Sequence, residues 1–282
     1  MVSYRVMHMG MTDLQQGLST INDETVQTSY TMTPQDMTMT MHMMSIMHGI
    51  SNDLTIMMMV PYSFKTMNTV SQHGNTISSM TSEGLNDIQV SGLWRMHHGA
   101  HHQVLINTGI SLPFGNTSIS NNSNQHMPYG MQQGSGTVDI LVGSTATAQF
   151  NHYTYGAQFN STLRFGKNRH DYSLGNHYQL SAWLQTVLSP DISTSIRGTT
   201  TMVANIDGQD STVTNDMKNM NPLYNRHQGH ITSDLALGIN YMPISLPGTR
   251  IAGELRIPIF YYTNSIQLAE DYTVSLGIQH SL

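Results

Sequence analysis

The chain has 282 residues with a net charge of -6, and only 10% of them are Asp, Glu, Lys or Arg, against about 25% in soluble domains. Mean hydropathy is still negative, at -0.26, so uncharged polar residues and Gly replace charge. Nucleic acid is excluded as a partner, because no Lys/Arg cluster is present; disulfides and Cys-built metal centres are excluded, because Cys is absent; and no run nears the ~20 apolar residues of a membrane-spanning helix.

The predicted elements are all strands, because the apolar residues recur with period two. The first, 2–11, places Met7, Met9 and Met11 on one parity, and the second, 37–47, does the same with Met37, Met39, Met41 and Met43. The third, 54–65, carries its apolar residues almost uniformly at even positions through Phe64. Strands follow at 85–97, 102–114, 137–149, 153–165, 177–188, 192–206 and 230–241. The last two are 249–261, with Ile251, Leu255, Ile257 and Ile259 alternating with charges, and 272–282, with Tyr272, Val274, Leu276 and Ile278. Lengths near ten residues match the 9–11 that a tilted strand needs to cross a bilayer.

Short turns at 48–53, 98–101, 150–152, 189–191 and 242–248 alternate with longer polar connections at 12–36, 66–84, 115–136, 166–176, 207–229 and 262–271. This is the pattern of outer-membrane barrels, with short periplasmic turns and longer extracellular loops. The expected fold is one all-β domain over 1–282, a transmembrane antiparallel up-and-down barrel of about twelve strands with both termini periplasmic. A secreted β-sandwich fits these strand lengths less well. The start, Met1-Val2-Ser3-Tyr4-Arg5, has no basic region followed by an apolar run and reads as lying at or near a mature N-terminus.

Charge parity provides a second test. With the apolar parity of each later strand facing lipid, Asp87, Arg95, Asp139, Arg164, Arg197, Asp234, Glu254 and Arg256 all fall on the lumen-facing parity. Lys or Arg on the lipid face near mid-membrane costs about 2–4 kcal/mol, which explains such segregation. Tyr62, Phe64, Trp94, Tyr153, Tyr155, Phe165, Tyr178, Tyr241, Tyr261 and Tyr272 fall toward strand ends on the lipid parity, where aromatic girdles form.

Several segments resemble one family. They are Met37-Thr38-Met39-Thr40-Met41-His42-Met43, Gly84-Leu85-Asn86-Asp87-Ile88, Ser111-Leu112-Pro113-Phe114-Gly115, Met131-Gln132-Gln133-Gly134-Ser135-Gly136-Thr137-Val138-Asp139 and Leu174-Gly175-Asn176-His177-Tyr178. They are similar to a bacterial outer-membrane β-barrel family described by the MetA pathway of phenol degradation, or simply as transporters. Asn86, Phe114 and Leu282 depart from its pattern, with Gly, Thr and a terminal Phe expected there. The resemblance implies an outer-membrane barrel that acts as a channel. It transfers no active-site residue.

The 23 methionines are the main compositional anomaly. In the second strand Thr38, Thr40 and His42 suit a wet lumen, so the Met rows are expected to face hydrocarbon as flexible apolar side chains. Met57 and Met59 fall on the lumen parity, where His42 also projects, and these three form the candidate soft-metal site. The cluster His97-His98-Gly99-Ala100-His101-His102 offers imidazoles at a turn but has no carboxylate or Cys to complete a closed site. No G-x-S-x-G elbow or nucleotide-binding glycine loop is present, so no enzyme activity and no cofactor are expected.

The expected function is passive passage of small solutes through a polar, mixed-charge lumen in the bacterial outer membrane. The long connections 12–36, 115–136 and 207–229 are placed to fold inward and narrow the route. The partners are the lipid bilayer and those solutes. Two alternatives stand beside it: a soft-metal barrel that binds or handles copper ion, and a structural or surface-interaction barrel with a plugged lumen.

Overall fold

The computed structural model describes residues 1–72, 77–121 and 123–281. Leu282 and part of the expected 66–84 connection lie outside the described residues. In chain order the elements are β1 (Val2–Gly17), β2 (Ser19–Ile21), α1 (Asp23–Gln27), β3 (Met32–Gly49), β4 (Leu54–Ser71), β5 (Ile77–Leu85), β6 (Ile88–His98) and β7 (His102–Leu112). They continue with β8 (Asp139–Phe150), β9 (Tyr153–Arg164), β10 (Tyr172–Ser173), β11 (His177–Ser189), β12 (Ile192–Val203), β13 (Asp207–Gly208), α2 (Asn215–Met220), β14 (His230–Tyr241) and β15 (Thr249–His280).

The long strands pair antiparallel in chain order, and β15 pairs with β1, so the sheet closes and leaves no edge in the membrane. β15 supplies two passes. Its first part pairs with β14, with Ile251 opposite Tyr241, and its second with β1, with His280 opposite Val2. Arg256 and Glu270 meet at 2.9 Å, and Thr249 Oγ1 lies 3.0 Å from His280 Nδ1, which sets the two halves side by side. Among the described residues, the eleven long strand segments therefore make twelve passes. Both termini share one end with the short turns, the periplasmic end in barrels of this type.

Several strands run further than the sequence pattern indicates. β4 continues to Ser71 and pairs with β5 from Tyr62–Leu85 to Val70–Ile77, while its first half pairs with β6. The seam between β5 and β6 falls at Asn86–Asp87, where Asn86 donates its N–H to Pro61 O at 2.9 Å. Pro61 has no N–H to contribute to a ladder, and the interruption frees Asp87 to point its carboxylate at other partners.

Register fixes the two faces, because paired residues of adjacent strands project to the same side. On β1, β3 and β4 the even-numbered residues share one face, with Tyr4 opposite Met44, His42 opposite Tyr62 and Ile46 opposite Met58. Large apolar residues on this face are widely exposed, Met44 and Ile46 at 60% each. It is the outer, lipid-contacting surface. The odd-numbered residues of these strands point inward. The expectation for the Met rows is therefore corrected: Met7, Met9 and Met11 oppose Met41, Met39 and Met37 on the lumen side, and Met9, Met11, Met37, Met39 and Met41 line the internal cavity. The outer apolar window of β3 consists of Met44 and Ile46, with His42 and Thr40 beside the ring pair Tyr62 and Phe64, where interfacial polarity is tolerated.

Tyr261 is also corrected. A register irregularity between Ser233 and Asp234 shifts the alternation on β15, so Phe260 and Tyr262 face out while Tyr261 turns inward opposite Thr232. A β-bulge of this kind reverses the parity of every residue beyond it.

Candidate functional site

Residues 128–135, in the connection between β7 and β8, fold into the barrel instead of standing above it. Lys65 Nζ donates to Gly130 O at 2.9 Å and to Gln132 O at 2.5 Å, and Ser82 Oγ donates to Met131 O at 2.7 Å. Gln133 Nε2 donates to Ser82 Oγ at 3.0 Å, and Ser63 Oγ donates to Gln133 Oε1. Met131, only 1% exposed, enters an apolar cluster with Leu14, Val26, Met37, Met67, Met127, Ile266 and Leu268. Asp87 holds the base of the segment: its carboxylate accepts from Gly115 N at 3.0 Å and from Ser135 N and Oγ at 2.7 Å each. There the backbone strands touch. A Cβ on Gly134 would sit 2.7 Å from Gly115 Cα and 2.5 Å from Asp87 Oδ1, so only glycine fits.

A second connection locks onto the first. Asp210, 1% exposed, lies 3.0 Å from His126 Nδ1 and accepts from Thr212 N at 2.9 Å and Thr212 Oγ1 at 2.6 Å. Burial raises its pKa, but the hydrogen bonds from His126 and Thr212 outweigh that cost and hold it below the ordinary value. Tyr224 donates its hydroxyl to His126 O at 2.8 Å, and Tyr129 OH accepts from Asp210 N at 3.1 Å. Burial pushes the Tyr224 phenol up to about 12, so this hydroxyl stays a donor at any ordinary pH.

Below these segments lies a cavity of about 700 Å³, lined from β1 round to β15. Its walls differ. From β6 to β15 the lining is largely polar and charged, and from β1 to β4 it is dominated by methionine. Asp139 contacts Arg164 at 3.4 Å and accepts from Thr137 Oγ1 at 2.6 Å. Arg256 pairs with Glu270 and donates to Thr273 Oγ1 at 3.1 Å. His230 stacks on Tyr261, with ring centroids 6.0 Å apart.

Of the residues singled out from charge parity, Asp87, Asp139, Arg164, Asp234 and Arg256 border this cavity. Arg197 and Glu254 pair with each other on the inner face of β12 and β15. Arg95 sits at the short-turn end, 3.1 Å from Asp53 and bonded to Asn52 O. Parity reasoning omitted two charges that border the cavity, Lys65 and Glu270. Lys65 shares its inner parity with Ser63 and Met67 and was legible on that ground, whereas a register irregularity beside Met11 hides the parity of Glu270.

The trio His42, Met57 and Met59 is not brought together. Met57 and Met59 are on the inner parity of β4, opposite Met47 and Ser45, but His42 is on the outer face with its Nδ1 2.6 Å from Tyr4 OH and its ring edge-on to Phe64. At the short-turn end His97 and His102 stack at 4.8 Å with their Nε2 atoms 2.9 Å apart. Among the described residues no group of three His, Cys, Asp or Glu is arranged to hold a metal ion.

No protein-family model matches the chain, and no curated protein matches it. Solved structures do. The COG4313 outer membrane channel from Pseudomonas putida F1 superposes with a TM-score of 0.70 at 9% identity, covering 99% of this chain and 93% of that one. The NanC porin matches at TM-score 0.50 and 11% identity over 99% and 100% of the two chains. The transport unit of the Escherichia coli autotransporter AIDA-I matches at 0.51 and 11% identity, over 100% and 90%. At such identities the likeness is one of fold. The chain is a closed antiparallel β-barrel of the bacterial outer-membrane type.

Proposed function

We propose that the barrel is a passive outer-membrane channel for small polar and ionic solutes. One observation carries this reading: the internal cavity is enclosed by the barrel wall and bordered by the Asp139–Arg164 and Arg256–Glu270 pairs, beneath an inserted segment that narrows the mouth. Fixed charges of both signs around a water-filled passage tune which ions and zwitterions enter, without a cofactor or energy coupling. The whole chain, 1–282, works as one unit in this reading, because every wall contributes lining residues. The Pseudomonas putida channel, named for passage across the same kind of membrane, supports it.

The test is single-channel recording of refolded protein in planar bilayers. Discrete conductance steps are expected, and neutralising one wall with Arg256→Gln and Arg164→Gln should move ion selectivity toward cations. A folded, heat-modifiable barrel that gives no steps would contradict the channel and favour a plugged structural barrel.

A further inference from the structure

The methionine wall remains unexplained by the passage of polar solutes. On the inner parity of β1 the residues are Ser3, Arg5, Met7, Met9 and Met11, and on that of β3 they are Met37, Met39, Met41, Met43, Ser45 and Met47. β4 continues the wall with Met57, Met59 and Met67. Apart from Pro61, every large apolar side chain on this stripe is methionine. The outer faces of the same strands use Val2, Val6, Ile46, Ile56 and Val60 freely beside Met44 and Met58. Filling space would not demand this choice, because Leu and Met are nearly interchangeable by volume. Thioether sulfur is what methionine adds. It is a neutral, polarizable ligand suited to soft cations.

Register sets these thioether side chains next to one another on the same face. Met7 lies directly opposite Met41 and Met9 opposite Met39, and Cβ atoms so paired are about 4.5–5.5 Å apart. At the upper end Met37, Met67 and Met131 are buried in the apolar cluster. Met9, Met39, Met41 and Met59 instead line open cavity. Glu270, opposite Met11, sets a carboxylate at the border of the stripe. Lys65 is drawn away by its bonds to Gly130 O and Gln132 O.

We propose that the paired thioethers Met7–Met41 and Met9–Met39 form a lumenal binding site for a soft monovalent cation, Cu(I) or Ag(I). The site rests on the reading of the interior as a wet channel, since the ion reaches these sulfurs only through water. Binding forms metal–thioether bonds and releases ligated water, with no redox step.

Ag(I) is the probe, added to refolded protein carrying methyl-labelled methionine. Saturable shifts of a subset of Met methyl signals are expected. The variant M7L/M9L/M39L/M41L keeps the apolar wall and removes the sulfur, and should weaken Ag(I) binding by at least about tenfold. M39L/M41L serves if the quadruple variant does not fold. M44L/M58L, on the outer face, should bind as the unmodified chain does. No saturable binding, or equal binding by the lumenal Leu variants, would overturn the site. Conductance recorded in parallel separates the two readings: Ag(I) binding without steps removes the passage and keeps the site, and steps without binding do the reverse.

Discussion

Lys65 illustrates how one buried charge can set the form of a barrel interior. Its ammonium reaches two carbonyls of the inserted segment, at Gly130 and Gln132, and so ties that segment to the wall. Hydrogen bonds from a charged donor are worth about 1.5–3 kcal/mol each. Lys65→Met should release the segment, seen as larger conductance steps and faster proteolysis within 113–138, with the barrel still closed. Asp210 makes the corresponding tie between the two long connections. Its folded pKa is held below the ordinary 3.8. Its contribution is therefore present above that ordinary value and lost as pH falls through the lowered one. Asp210→Asn should lower loop stability at neutral pH, and the difference from the unmodified chain should vanish in acid, as followed by tyrosine near-UV dichroism.

Strands were the most legible elements, and their faces were less so. Alternation located every pass, because a strand between lipid and water must change polarity at each residue. On β3 the same logic chose the wrong side. Thr38, Thr40 and His42 look wet, yet they continue the outer face near its aromatic border, where Tyr4 satisfies His42. Methionine is apolar enough for either environment, so composition alone did not decide. On β15 the bulge that turns Tyr261 inward falls beside Pro258, and a proline inside a strand is the sequence sign of it that apolar alternation alone passes over. The reach of β4 and β5 was also hidden, because beyond the bilayer neither face needs to be apolar. At this scale two substitutions are decisive. Gly134→Ala would push a methyl into Gly115 and Asp87 and should cost about 1–3 kcal/mol by overpacking, measured as a lower midpoint for unfolding of the inserted segment. Leu237→Arg places a charge at the centre of the outer face of β14, where Leu237 is 60% exposed. It should destabilise the barrel in vesicles by about 2–4 kcal/mol, and far less in detergent.

For the molecule as a whole, one distinction organises the rest: an outer surface of Leu, Ile, Val, Met and aromatic residues against lipid, and an interior that is charged on one side and thioether-lined on the other. The natural chain contains no cysteine, so a single introduced thiol reports on one position alone. Met41 and Met44 lie three residues apart on β3, on opposite faces. The direct measurement is modification of Met41→Cys and Met44→Cys, each reconstituted in vesicles, by a small charged reagent that does not enter bilayers. Rapid labelling of the first and protection of the second are expected. The reverse pattern would place the methionine wall in lipid and contradict the account.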